Sequence, residues 1–242
     1  MMKIAPLQAD QVQVWQLALT DLGGRMETLT ALLSADERAR AARFYFERDR
    51  QVYVGTRGVL RLLLGQYVSL PPETLRFSYG PHQKPTLLLE TAGEPVAFNV
   101  SHSHQLALLA FSRGREVGVD VERIRSDLDF EGLAAQVFSP YEKAAWQAFS
   151  GAARVAAFFR CWTRKEALLK AQGFGLIERL DQVSVSLDEL RAEVVEMADQ
   201  PSNAWSLMPL AIGAGYAAAL AVADLPPPVF LNCWDWAVHC AD

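Results

Sequence analysis

A chain of 242 residues, half of them hydrophobic and a fifth charged, has the composition of a folded protein rather than a disordered or fibrous one. Its formal net charge of -5 excludes the basic field expected of a nucleic-acid binder, so anionic ligands must be met by local clusters. The three cysteines, Cys161, Cys233 and Cys240, stand at no metal-ligand spacing and form no disulfide framework; with no secretory signal at the start, a cytoplasmic protein is expected.

In chain order, Val12-Gln-Val14-Trp15 alternates as a strand does, and Leu33-Ser-Ala-Asp-Glu37-Arg38 reads as a helix start with Ser34 as N-cap. Thr56-Arg57 introduces a leucine-rich helix, Phe77-Ser78-Tyr79 a short strand, and Leu106 to Phe111 an apolar strand. The series then returns at an offset of about 105 to 107 residues: Val117-Gly-Val119-Asp120, Phe138-Ser-Pro-Tyr-Glu142-Lys143, Thr163-Arg164, Val183-Ser184-Val185 and Ala217 to Val222. This predicts an α+β fold of two similar halves, 1–112 and 113–242, each a strand, about three helices and then several strands. Ala204 to Ala223 is uncharged and long enough to cross a bilayer, but Pro209, Gly213 and Gly215 divide it into two short strands, so no membrane span is expected.

The duplication shows which charges the architecture does not require. Where the second half has Asp120, Glu122, Glu166 and Lys170, the first has Trp15, Leu17, Val59 and Leu63. Carboxylates at such positions need partners, and a metal ion is a natural one. In Glu116 to Arg123 the valines face one side and Asp120 with Glu122 the other, roughly 7 Å apart at the backbone, which suits either a hard cation or a solvated acidic strand face. In the helix from Phe158 to Lys170, Glu166 and Lys170 lie one turn apart, the spacing of an ordinary surface pair as well as of a site. Gln83-Lys84-Pro85 and Phe98-Asn-Val-Ser101-His102-Ser103 offer a point charge, a hydroxyl and an imidazole suited to phosphate; Ser101 and His102 are no catalytic dyad, since adjacent strand residues face opposite ways.

Taken together, Val-Gly-Val-Asp-Val-Glu, 39 residues, then Trp-Thr-Arg-Lys-Glu-Ala-Leu-Leu-Lys, with the upstream Lys-Pro and Ser-His-Ser elements, resembles the signature of the 4′-phosphopantetheinyl transferase superfamily in its larger, surfactin-synthetase-activating type. The resemblance implies a magnesium-dependent enzyme with metal ligands Asp120, Glu122 and Glu166, and coenzyme A as co-substrate in a cleft between the halves. It implies that Glu166, directly or through water, activates a serine of an apo acyl or peptidyl carrier protein while Lys170 stabilises the departing adenosine 3′,5′-bisphosphate. Lys84, Ser101 and His102 match positions contacting the coenzyme phosphates, Arg40 a position contacting the 3′-phosphate, and Arg57 is a further contact whose twin Arg164 leaves a structural role equally open. Two departures stand out: Gln83 replaces the usual glycine of Gly-Lys-Pro, and Glu37 occupies a position often basic. The segment Ala171 to Ile177 reads either as a loop receiving the carrier or as a plain helix C-cap at Gly173 with Phe174 packed inside. A non-catalytic scaffold binding coenzyme A or a carrier would lack a carboxylate or the lysine; with all four retained, an active enzyme is expected. One chain supplies both walls of the cleft, so a monomer is expected. For the tail around Trp234 and Trp236 only packing is foreseen.

Overall fold

The computed structural model describes residues 3–20, 22–89, 94–174, 180–198, 201–224 and 226–239. The first half runs β1 (Val12–Ala18), α1 (Met26–Leu32), α2 (Ala35–Ala41), α3 (Glu47–Val68), β2 (Arg76–Tyr79), β3 (Pro85–Leu88), β4 (Val96–Ser103) and β5 (Leu106–Arg113). The second runs β6 (Val117–Arg123), α4 (Phe130–Val137), α5 (Pro140–Gln147), α6 (Gly151–Gln172), β7 (Val183–Val185), β8 (Val194–Met197), β9 (Trp205–Pro209) and β10 (Tyr216–Ala223). The elements correspond one to one, and so do the pairings. β1-β5-β4 and β6-β10-β9 are both antiparallel with the last strand of the half at the centre, and β2-β3 and β7-β8 are separate hairpins.

The reason for this arrangement lies in the alternation of the strands. On β1, Trp15 and Leu17 face α3 in one core cluster; Ala217, Ala219 and Ala221 of β10 pack with residues of α6 in a second. The opposite faces, Val12 and Val14 with Val117, Val119 and Val121, meet in a third cluster between the two sheets. The uncharged stretch near 204–223 is the hairpin β9–β10, whose central strand is almost wholly buried, and no helix among the described residues is long and apolar enough to cross a membrane.

The long helices are also twins, 22 residues each, and each ends on a left-handed residue, Ser69 and Gly173. After α6 the Phe174 N–H donates to Leu169 O and the Gly173 N–H to Lys170 O, a Schellman ending with Phe174 packed on the second core. The C-cap reading of this segment therefore describes residues 171–174; the rest of the loop, 175–177, lies outside the described residues. The short helices α2 and α5 are tied to the long ones by buried acids. Glu37 accepts from Ser34 N–H and pairs with Arg57 and Arg61, while Glu142 accepts from Ser139 N–H and pairs with Lys165. This explains the acid at position 37: it fastens α2 to α3, where a basic residue would face two guanidiniums.

The tail departs from the sequence-based grouping of 113–242. β11 (Val229–Cys233) runs parallel to β1 at the outer edge of the first sheet, and α7 (Trp236–His239) follows it. Trp234 and Trp236 enter the first core, with Trp234 packed edge-on against Trp15. Cys161 and Cys233 are free thiols.

Candidate active site

Gly118 sets the geometry of the site. It lies on the face of β6 turned to α6, and a Cβ there would come within 2.1 Å of Ala167 O and 2.3 Å of Ala171 N. The missing side chain lets the helix backbone rest on the strand. Asp120 and Glu122, next along the same face, are thereby brought under Glu166 and Lys170, one turn apart on α6.

A row of side chains from β4 closes the site. Asn99 Oδ1 accepts from Val119 N–H (3.0 Å), Ser101 Oγ from Val121 N–H (3.4 Å) and Ser103 Oγ from Arg123 N–H (3.1 Å). Three alternate residues of one strand edge thus satisfy three backbone donors of the other, joining the sheets without a shared ladder. The same hydroxyls donate to the acids, Ser101 to Asp120 Oδ1 and Ser103 to Glu122 Oε2, each at 2.8 Å. Lys170 Nζ completes the cluster, donating to Asp120 Oδ1 at 2.5 Å and to Ser101 Oγ at 3.0 Å.

One ammonium does not balance three carboxylates. Asp120 and Glu166 are 3% and 1% exposed, and Asp120 Oδ2 and both Glu166 carboxylate oxygens are buried without a hydrogen-bond partner. Burial, followed by the charge of Asp120, pushes the Glu166 carboxyl up to about 8. Burial also raises Asp120 against the pull of Lys170, and raises Glu122. Among the described residues no three His, Cys, Asp or Glu side chains converge closely enough to hold an ion as they stand. The donor set is nevertheless all hard oxygen, and three buried oxygens are unmet, so the residues suit a hard divalent cation by chemistry and by need, with side-chain rotation completing the geometry.

Beside this cluster a pocket of about 200 Å³ is lined by Arg40, Tyr53, Thr56, Arg57, Gln83 and His102, among others. Arg40 lies over the Tyr53 ring, 5.4 Å from its centroid. Arg57 has the structural role, its fork pairing with Glu37 and donating to Tyr79 Oη at 2.8 Å, and it also lines the pocket. His102 stands at the mouth, its imidazole held below the usual range by the surrounding protein and then by the Lys170 ammonium. Gln83 has φ 62°, the left-handed conformation that explains the glycine usual at this position.

The structure brings Asp120, Glu122, Glu166, Lys170 and Ser101 into one cluster and Arg40, Arg57 and His102 into the adjoining pocket. Ser101 is committed to the acids rather than turned toward the pocket. Lys84 is not brought in: its Nζ donates to Glu116 Oε2 (2.7 Å) and to Ala171 O (2.8 Å), at the negative end of α6. Sequence reasoning gave no role to Asn99, Ser103 or Gly118; the alternation of Asn99, Ser101 and Ser103 was the available signal for the first two.

The profile described as "4'-phosphopantetheinyl transferase superfamily" matches residues 116–221, and that described as "4'-phosphopantetheinyl transferase, N-terminal" matches residues 22–113. The 4'-phosphopantetheinyl transferase HetI of Nostoc sp. is 37% identical over 217 residues, 90% of each chain. The 4'-phosphopantetheinyl transferase Sfp of Bacillus subtilis is 26% identical over 212 residues, 86% of this chain and 91% of that one. AcpT of Salmonella typhimurium is 42% identical over 113 residues, 47% of this chain and 56% of that one. With both halves matched and a relative of this identity along nine-tenths of its length, the chain belongs to the 4′-phosphopantetheinyl transferase superfamily.

Proposed function

We propose that this chain transfers the 4′-phosphopantetheine arm of coenzyme A to a serine of an apo acyl or peptidyl carrier protein, releasing adenosine 3′,5′-bisphosphate. The observation that carries the reading is the trio Asp120, Glu122 and Glu166, the first and last buried with oxygens lacking partners, in the half whose counterpart fills the same places with apolar side chains. These three would hold Mg²⁺, which when bound would neutralise charge on the pyrophosphate of the coenzyme.

The serine Oγ forms a bond to the β-phosphorus as the bond from that phosphorus to the bridging oxygen breaks. The bridging oxygen leaves with the adenosine bisphosphate. The serine proton goes to Glu166, directly or through a water, and Lys170 supplies a positive charge to the departing phosphate. Arg40, Arg57 and His102 bind the nucleotide phosphates in the adjoining pocket; for Lys84 to join them it must leave Glu116. Segments 1–112 and 113–242 form the two walls of the cleft, and a single cytoplasmic chain suffices.

The test is the mass of an apo carrier protein after incubation with this protein, coenzyme A and Mg²⁺, with EDTA and Asp120→Ala as controls. A serine-linked gain of one phosphopantetheine, absent from both controls, is expected. No gain on fatty-acid, polyketide or peptide carriers while coenzyme A still binds would make the chain a scaffold instead.

A further inference from the structure

The duplication that separates the acidic cluster from its apolar twin also provides a second pocket. Tyr53, Thr56 and Arg57 of α3 line the pocket beside the cluster, together with Asn99 and Val100 of β4. Their counterparts on α6, Arg160, Thr163 and Arg164, line a cavity of about 390 Å³ together with Pro209 of β9, Leu210 and the loop residues Glu189 and Leu190.

The two pockets treat their arginines differently. In the first half Glu37 pairs with Arg57 and Arg61. In the second the corresponding acid, Glu142, pairs with Lys165, which stands where α3 has Gly58, and Leu168 stands where α3 has Arg61. Arg164 is thereby left with neutral acceptors. It is 1% exposed and donates to Ser186 O and Asp188 O, each at 2.6 Å, and to Ser186 Oγ at 3.4 Å. These contacts fix its position without neutralising its charge. Arg160 lies one turn earlier on the same helix face, its Nε donating to Leu187 O at 3.2 Å. Neither arginine makes an ion pair among the described residues. Burial, and then the charge of Arg160, lowers the Arg164 guanidinium to about 10, which leaves it cationic at neutral pH.

Two carboxylates stand nearby. Asp188 accepts from Leu190 N–H and Arg191 N–H within its own loop, so its charge reaches Arg164 only at a distance. Glu189, exposed on the cavity wall, pairs with neither arginine. Two like charges one turn apart beside a cavity, one of them buried, call for an anion. A phosphate dianion matches both charges and offers three oxygens to the two forks. The cavity is larger than phosphate alone needs, and Ile124, Leu190, Leu210 and Ala217 make much of its wall apolar. A second charged group on the ligand would meet the Glu189 carboxylate.

We propose that Arg160 and Arg164 form a second anion site, separate from the coenzyme pocket, that takes a phosphate monoester carrying an apolar group. The phosphate lies between the guanidiniums, and the apolar group lies against Ile124, Leu190 and Leu210. The site uses none of the carboxylates or pocket residues of the transferase reading and stands or falls apart from it.

The experiment is calorimetric titration of the full chain with phenyl phosphate at pH 7.5 in EDTA. Saturable one-site binding with a Kd below about 1 mM is expected, roughly tenfold or more tighter than for inorganic phosphate. Arg160→Met should weaken it about tenfold or more, while Arg40→Met, in the other pocket, should leave the Kd within about twofold. Leu190→Asp, at a side chain 84% exposed, sets a carboxylate on the cavity wall and should weaken binding about fivefold or more. Circular dichroism and a melting curve verify the fold of each, and Leu190→Asp keeps the test open if Arg160→Met does not fold. A Kd unchanged in Arg160→Met or Leu190→Asp, binding lost in Arg40→Met instead, or no saturation up to roughly 10 mM overturns the site. Inorganic phosphate binding as tightly as phenyl phosphate overturns the assignment of an apolar monoester.

Discussion

The two halves build one helix-on-sheet interface with opposite chemistry. Between β1 and α3 lie Trp15, Leu17, Val59 and Leu63, all buried, and the Trp15 indole N–H donates to Tyr67 Oη, which donates in turn to Gln13. Between β6 and α6 the same places hold Asp120, Glu122, Glu166 and Lys170, and three carboxylate oxygens have no partner. The fold therefore tolerates either filling. Stability alone favours the apolar one, because well-packed hydrophobic side chains avoid the desolvation of buried charge. The acidic filling runs against that preference, which is the reason we propose it as the working site of the molecule.

The largest effect should come from a feature the halves share. Glu37→Ala would leave Arg57 and Arg61 without their acid, Arg61 being fully buried, and should cost about 3 to 5 kcal/mol in urea unfolding. Glu142→Ala, which strands Lys165, should behave alike if the two fastenings are true twins. Next comes the feature that separates the halves. Gly118→Ala forces a Cβ against the α6 backbone and should cost about 1 to 3 kcal/mol while displacing Glu166 and Lys170. The corresponding residue of β1 is Gln13, which carries a full side chain, so Gln13→Ala should not move α3.

A smaller effect of opposite sign tests the comparison itself. Glu166→Val installs the residue of the first half and, in EDTA, should stabilise the protein by about 1 to 2 kcal/mol while abolishing transfer. Acids in the two halves should also respond oppositely to pH. The Glu37 carboxyl is held below its ordinary value by Arg61 and Arg57 despite its burial, so its contribution is present above about pH 4.5 and is lost as pH falls through its folded value. Glu166 is raised to about 8, so without metal its ionisation costs stability at high pH. The metal-free wild type should gain stability from pH 8 towards 5, and Glu166→Val should not share that gain. The smallest effect is that of Lys84→Ala. Its ion pair with exposed Glu116 should be worth less than about 1 kcal/mol, leaving any rise in the KM for coenzyme A as the measure of its part in binding.

Much of this contrast was legible in the sequence, because duplication and strand alternation are local patterns. The offsets pairing Trp15 with Asp120 and Val59 with Glu166 marked the divergent places, and Pro209 with Gly213 and Gly215 divided β9 from β10. What stayed hidden depends on partners distant in the chain. Nothing in Val229 to Cys233 says that it joins β1 rather than the nearer β9, because alternation specifies faces and not neighbours. Glu37 reads as a capping acid, and only the approach of α3 turns it into a buried pair. Lys84 reads as a phosphate ligand until the end of α6, 87 residues later, offers it a carbonyl.

The most direct test of the central claim is the melting temperature of the wild type and of Glu166→Val, each in EDTA and again with Mg²⁺ and coenzyme A. The variant should melt higher in EDTA, and the order should reverse with metal and coenzyme as only the wild type gains. Equal gains in both proteins would contradict the account, placing metal and coenzyme binding away from the carboxylates beneath α6.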